Sequence, residues 1–397
     1  MNYTVSKNIK TLSYILIAIG ILTTVVGFFT DHSEHHNRFW GNVFVNSFFF
    51  FAISLAATFF IAIQYAAEAA WGTVFKRVFE GVAGYLPLGA LFLIIVFLAG
   101  SFHWHDMYQW MDPEVSNPNS HHFDKLIAGK SAYLNLPFFW IRTLLYLGVW
   151  TYCNHIFRKR SLEEDITGGT IIHFKNVKLA ASFLVFFAVT SSTAAWDWIM
   201  SIDTHWYSTL FGWYVFSGMW VSGVITFILL TIYLKKQGHL TQINDSHIHD
   251  LGKWMFAISI LWTYLWFSQF MLIWYSNIPE ETTYFYERIR DYKFIFFGMA
   301  AINLIFPLLL MMARDTKRNI KYLLVVGCII FIGHWIDVFV MVMPGTVGGE
   351  WTINIMEIGM FLGFLGMFIY KVFHTLSKAP LMVKNHPYLD ESMHHHI

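Results

Sequence analysis

Residues 39–67 read FWGNVFVNSFFFFAISLAATFFIAIQYAA, 29 residues without one charged side chain. A helix needs about 20 mostly apolar residues to cross the hydrocarbon core of a bilayer. This run exceeds that length, and it does not alternate with the period of two expected of a barrel strand. Nine further stretches meet the same criterion, at about 11–29, 81–101, 134–157, 177–201, 208–234, 253–275, 293–312, 320–343 and 351–373. The sequence therefore predicts an all-α polytopic membrane protein with about ten transmembrane helices.

Composition points the same way. Of the 397 residues, 56% are hydrophobic and only 13% charged, with a mean hydropathy of +0.50. A soluble domain carries roughly 25% charged residues. The 17 tryptophans and 40 phenylalanines suit a chain with aromatic rings at the bilayer interface and between helices. A net charge of +1 gives no argument for nucleic acid. Lys7 and Lys10 precede the apolar run from Leu12 to Phe29, which is of spanning length with no small-residue cleavage site after it, so the first helix is expected to stay.

Lys and Arg in the connections set the expected orientation. Counted over alternate connections, 19 lie on the side of the termini and 6 on the other, with Arg142 alone inside a span. The ratio predicts cytoplasmic termini and supports an even number of crossings. The longest outer connections, 102–133 and 276–292, are rich in aromatic and acidic residues, as in HWHDMYQWMDPE from His103 and WYSNIPEETTYFYE from Trp274. They offer a surface for a partner, or simply a solvated cap.

A short echo runs through the chain. The fifth span ends AWDWIMSIDTHW from Ala195 and the ninth contains GHWIDVFVMVMP from Gly333, each with an Asp near a Trp four helices apart. Duplication of a four-helix unit would produce this. It divides the chain into 1–38, 39–205 (a first bundle, spans 2–5), 206–343 (a second, spans 6–9) and 344–397, with spans 1 and 10 flanking. An even-numbered unit makes the repeat parallel.

Ionisable groups in hydrocarbon need protein partners and are candidate functional residues. Asp197 has Thr193 and Ser201 at i−4 and i+4, giving a polar face, and Asp203 and His205 follow at the outer boundary. Asp197 reads as a proton-accepting or quinol-contacting acid, or as a structural hydrogen-bond acceptor. Arg142 either snorkels or pairs with an acid such as Asp197. His334 and Asp337, at i and i+3, can touch and relay a proton, or serve as a structural bond. Glu350, Asn354 and Glu357 form one stripe of the tenth span, with Glu357 about two turns deep and in need of a partner, Arg142 or a water path. Gln64 and Glu68, at i and i+4, form either the mouth of an inner half-channel or an interfacial helix end.

Redox and hydrolytic chemistry find no residues. Cys153 and Cys328 lie far apart in apolar segments and read as small buried hydrophobes. No CxxCH, cysteine cluster, Walker A, zinc-ligand spacing or GxSxG is present. His103 and His105 flank Trp104 outside the third span, His155 lies on the other side, and His334 has no histidine at its own depth, so no bis-histidine haem pair is expected. The terminal His394–His396 run is assigned no metal.

The run SSTAAWDWIMSIDTHWYSTLFGWYVFSG (Ser191–Gly218), with SQFMLIWYSNIPEET (Ser268–Thr282) and KLIAGKSAYLNLPFFWIRTLLYLGVW (Lys125–Trp150), closely resembles the F subunit of bacterial alternative complex III. The resemblance covers nearly the whole chain. It implies a polysulfide-reductase (NrfD)-like membrane subunit of a respiratory quinol:cytochrome c or terminal-oxidase oxidoreductase, in the bacterial inner membrane. It implies partners: a multihaem cytochrome c, an iron–sulfur/molybdopterin-like subunit, a C-type membrane subunit and in some systems a haem-copper oxidase, besides lipids. Haem c and iron–sulfur clusters would belong to those partners, menaquinol or ubiquinol would be the substrate, and this chain would bind no cofactor of its own. It would anchor the complex and conduct protons. The residues matching the family's path are Asp197, His334 and Asp337, with Gln64 and Glu68 on the inner side. The competing readings are the quinol-binding C-type subunit and a stand-alone secondary transporter. Against the latter, Pro307 is the only proline deep in an expected span, and the glycines are not paired.

Overall fold

A computed structural model describes residues 3–396. The helices are α1 (Lys7–Thr30), α2 (Asn37–Ala66), α3 (Lys76–Ala83), α4 (Leu86–Ser101), the short α5 (Lys125–Lys130), α6 (Leu136–Thr167), α7 (Ile171–Trp198), α8 (Phe211–Lys236), α9 (Asp245–Ser276), α10 (Pro279–Asp291), α11 (Lys293–Ala300), α12 (Phe306–Leu310), α13 (Ile320–Val347), α14 (Ile355–Leu376) and the short α15 (Leu389–Met393). Among the described residues, nine helical stretches are long and apolar enough to cross a membrane. The chain is an all-α polytopic membrane protein. The one expected span not among them, the fourth (134–157), lies in α6, a 32-residue helix whose apolar run is diluted by Arg142.

The reason α2 sits at the centre is its composition. A helix apolar on every side has no face to turn to water or to a polar neighbour and is buried. The apolar part of α2 is wholly buried. It packs against α3, α4 and α7 on one side, α8 and α13 on another, and α14 on a third. Phe51 of α2 meets Trp150 and Trp198, while Phe49 meets Phe331 and Phe50 meets Phe361 and Phe368. Large side chains at the periphery, among them Leu22, Phe29, Val185, Leu272, Phe294 and Leu309, are exposed, as a lipid-facing surface requires.

Two spans are interrupted. The third begins earlier than its expected bound of 81, with α3 and α4 breaking at Gly84–Tyr85 just before Pro87. The eighth is split by a π turn at Ala301–Ile305, followed by Pro307. Pro344 also lies inside a helix, near the end of α13, where it follows the expected bound of 343. The tenth span starts later than its expected bound of 351, because Trp351–Ile353 is not helical and Asn354 caps α14.

The α1–α14 pair was not legible from apolar length. In lipid there is no hydrophobic drive between helices, so close backbone approach over small residues takes its place. The buried positions of α1 are Ser13, Gly20, Thr23 and Gly27; the first three face Gly366, Gly363 and Gly359 of α14, and Gly27 faces Met356. A Cβ on Gly363 would stand 2.6 Å from the Gly20 Cα, and one on Gly20 would meet the Gly363 Cα. Gly363→Val is expected to separate the pair and lower stability by ~1–3 kcal/mol, the range for overpacking. Thermal unfolding in mild detergent measures it; an unchanged midpoint would remove this packing account.

Candidate functional site

Two buried carboxylates lie in the half of the bundle away from the termini, and their partners differ in kind. Asp197, the penultimate residue of α7, is fully buried. Arg142 Nε donates to its Oδ2 at 2.8 Å and Nη2 to its Oδ1 at 2.9 Å, a two-pronged ion pair. Arg142 Nη1 also donates to the Tyr133 carbonyl at 3.1 Å, and its guanidinium lies 3.9 Å and 4.2 Å from the ring centres of Tyr133 and Phe138. The Tyr146 hydroxyl stands 3.4 Å from Asp197 Oδ2. Of the two expected outcomes for Arg142, pairing with Asp197 is what the structure shows. The polar face of Thr193 and Ser201 does not serve the carboxylate. Both hydroxyls bond to carbonyls of their own helix turn, Thr193 to Val189 at 3.2 Å and Ser201 to the Asp197 main chain at 2.6 Å.

Asp337, in α13, is equally buried but pairs with no arginine or lysine among the described residues. The Tyr214 hydroxyl donates to Oδ1 and the Trp262 indole to Oδ2 at 3.0 Å. His334 Nδ1 lies 3.8 Å from Oδ2, beyond hydrogen-bond reach, so the expected direct His334–Asp337 contact is corrected to a near approach. Neither ring nitrogen of His334 has a partner among the described residues. A cavity of about 10 Å³, lined by Ser222, His334 and Asp337 among others, has room for roughly one water between them.

The remaining candidates sort by depth. Asp203 Oδ2 accepts from Arg288 Nη2 at 3.1 Å. Arg288 is fully buried and also donates to the carbonyls of Tyr284, Val340 and Met341, with its guanidinium 3.3 Å from the Tyr284 ring centre. It had counted only as an outer-loop charge. His205 pairs with Asp124 at 2.6 Å on the surface, outside any buried path, and this hydrogen bond holds the Asp124 carboxyl below its usual range. Glu357 is corrected in depth and partner. It is the third residue of α14, where its Oε2 accepts the Asn354 N–H at 2.9 Å and its Oε1 accepts Arg38 Nε at 2.9 Å and Nη2 at 2.8 Å, with Asn42 Nδ2 at 3.0 Å. Glu350 precedes the helix and shares no stripe with it.

Gln64 and Glu68 do not share a helix face. α2 ends at Ala66, and Glu68 is an exposed turn residue with φ 48°. Gln64 alone lines a cavity at the end that carries the termini. His105 is buried against the Val96 carbonyl at 3.0 Å, and burial pushes its imidazole down to about 4. His103 is exposed. Of the two cysteines, Cys153 is buried but Cys328 is exposed, which corrects the expectation for the latter.

A dense polar cluster at the terminal end was missed. Lys76 Nζ donates to Glu164 at 2.7 Å, Arg77 bonds Glu80 at 2.5 Å and Asp165, and Arg158 also bonds Glu80. Each pairing joins residues of α3 and α6, or neighbours on α3, and most span roughly eighty positions, so spacing gave no signal.

Compared with known proteins, the chain matches no family model and no curated protein.

Removing one member of a buried pair strands the other's charge and costs about 3–5 kcal/mol, whereas replacing both by apolar groups is near neutral. Asp197→Asn and Arg142→Met are each expected to lower the amount of folded protein sharply. The double replacement Arg142→Met/Asp197→Leu should recover most of it, read as the monodisperse fraction by size-exclusion chromatography. Additive losses in the double variant would contradict the pairing.

Proposed function

We propose that this chain is the redox-centre-free membrane subunit of a respiratory quinol oxidoreductase of the alternative complex III kind, and that Asp337, with Tyr214 and His334, is its proton-exchanging group. The observation that carries the second part is the contrast between the two acids. Asp197 is neutralised by a guanidinium, which stays charged. If Asp197 took up a proton, Arg142 would be left unpaired in a low-dielectric interior. Asp337 faces a hydroxyl, an indole and an imidazole. It can change protonation state without stranding a permanent cation, and the His334 imidazole beside it is a second group able to carry a proton.

Two features support membership in a larger assembly. The end opposite the termini exposes Trp104, Tyr207, Tyr275 and Tyr286, aromatic anchors of the type used at protein interfaces. The basic excess at the terminal end supports cytoplasmic termini in a bacterial inner membrane, which would turn that aromatic end toward partners carrying haem c and iron–sulfur clusters. Menaquinol or ubiquinol would be the substrate of the complex. The two interrupted spans favour a stand-alone transporter instead. They are, however, the third and eighth, which are not equivalent positions in two four-helix units.

Purification through this chain in mild detergent tests the assembly. Co-purifying c-type haem and iron–sulfur chains are expected, and recovery of the chain alone would favour the transporter. For the proton role, Asp337→Asn in the assembled complex should reduce the proton yield per quinol oxidised in vesicles by about half or more, given that the buried acid is the proposed carrier. An unchanged yield with normal assembly would remove Asp337 from the path.

A further inference from the structure

The α6–α7 hairpin and the carboxy-terminal tail meet at a point that the proton reading does not use. Gly168 and Gly169 adopt φ +64° and +76°, a conformation that side-chain-bearing residues rarely take, and this lets the chain reverse between α6 and α7. The reversal sets Glu164, in the last turn of α6, beside His173, in the first turn of α7. The tail is stitched onto the same hairpin. Lys384 N–H donates to Asp165 Oδ1 at 3.0 Å and Asn385 Nδ2 to the Asp165 carbonyl at 2.8 Å. That docking delivers His386.

We propose that Glu164, His173 and His386 form a binding site for a divalent transition ion of the zinc class, which clips the tail to the α6–α7 hairpin. One donor atom from each of the three residues lies within 4.8 Å of the others. All three residues are at least nine-tenths buried, at 1%, 2% and 9% exposure. Glu164 Oε1 and both nitrogens of His173 have no hydrogen-bond partner among the described residues, although His173 Nδ1 approaches Glu164 Oε1 at 4.0 Å. Buried polar atoms in that state need a water or an ion. The group sits on a cavity of about 30 Å³ that His173 and His386 both line, together with Gln64, Tyr65 and Tyr388.

The donor chemistry selects the ion. Two imidazoles and one carboxylate suit zinc, and three protein ligands leave a fourth position open toward the cavity. Tetrahedral bonds of about 2.1 Å put ligand atoms roughly 3.4 Å apart, so donors that lie within 4.8 Å of one another must draw in, the Glu164–His173 pair from 4.0 Å. His386 can supply that movement because it lies on a non-helical tail segment. Its Nδ1 accepts the Tyr388 N–H at a long 3.3 Å, a weak bond to exchange for ligation. The Lys76 ammonium, on the other Glu164 oxygen, opposes a second cation. It also holds that carboxylate with Oε1 free, and Glu80, whose Oε1 is likewise unpartnered, offers Lys76 a second acid.

The test uses the full chain with His394→Ala and His396→Ala, which removes two exposed imidazoles that bind zinc adventitiously. After growth with zinc and dialysis, elemental analysis should give about one equivalent, and cobalt in its place should show tetrahedral d–d absorption. His386→Ala, in the tail and outside the bundle core, should weaken zinc binding at least about tenfold, as loss of a ligand does. Chelation should expose the segment 378–393 to protease. Zinc retention unchanged in His386→Ala, or less than about a tenth of an equivalent in folded protein, would overturn the site and leave the cavity to water.

Discussion

A charge inside hydrocarbon survives only beside a partner supplied by the protein, and this constraint fixes which helices of the bundle must touch. Arg142 on α6 and Asp197 on α7 are the clearest case. Neither can face lipid, so the two helices are held in one rotational setting, with Trp198 Nε1 on Thr143 Oγ1 at 3.0 Å as a second tie at the same level. Arg38 and Glu357 do the same for α2 and α14, and Arg288 and Asp203 tie α10 to the segment after α7. The pairs say little about net stability, since desolvation offsets most of their attraction. They say a great deal about register, because every alternative packing leaves a bare charge.

Against that background Asp337 is the exception, and it is the acid proposed to exchange protons. Its neighbours are neutral donors, and the unpartnered His334 beside it is a group that a merely structural design would satisfy or replace. The two Asp–Trp motifs of the sequence thus lead to chemically different sites. One is a locked ion pair. The other is an acid with room for about one water in a neighbouring cavity.

How much of this could be read from the sequence follows from the same physics. Apolar length located the nine helical stretches long and apolar enough to cross a membrane among the described residues, since each required only its own residues. Pairing of Arg142 with Asp197 was readable as a possibility because Arg142 is the sole basic residue within a span. Arg288, Lys76 and Arg77 were not readable as buried, nor Arg158 as half-buried. A basic residue near a helix end has one appearance in sequence, whether it faces water or a neighbouring helix, and the distinction is made by partners as much as 88 positions away. The depth of Glu357 was misjudged for a local reason. Asn354 forms a capping box with it, and that signal, an Asn three residues before a Glu, was present in the sequence and outweighed by the apolar run. The α1–α14 contact depended on glycines whose spacing, not hydrophobicity, carries the information.

Beyond the small cavity it shares with His334 and Ser222, the surroundings of Asp337 are more polar toward one end than the other. Toward the end opposite the termini, Tyr214, Gln269, Tyr284 and Arg288 line or border a second small cavity, and Arg288 reaches Asp203, which is partly exposed. Toward the terminal end, the neighbouring face of α2 runs from Ala52 to Gln64, about 18 Å of helix at 1.5 Å per residue. Its only hydroxyls over that distance, Ser54 and Thr58, bond to their own helix carbonyls at 3.2 Å each. Among the described residues of α2, none between Ala52 and Gln64 carries a titratable side chain. On the proposed proton role, the exit from Asp337 would run toward the aromatic end, while Gln64 and the Lys76–Glu164 pair line or border a different cavity at the terminal end. The separation explains why the two clusters can differ so much in character, one sparse and neutral and the other crowded with paired charges, without either disturbing the other's electrostatics.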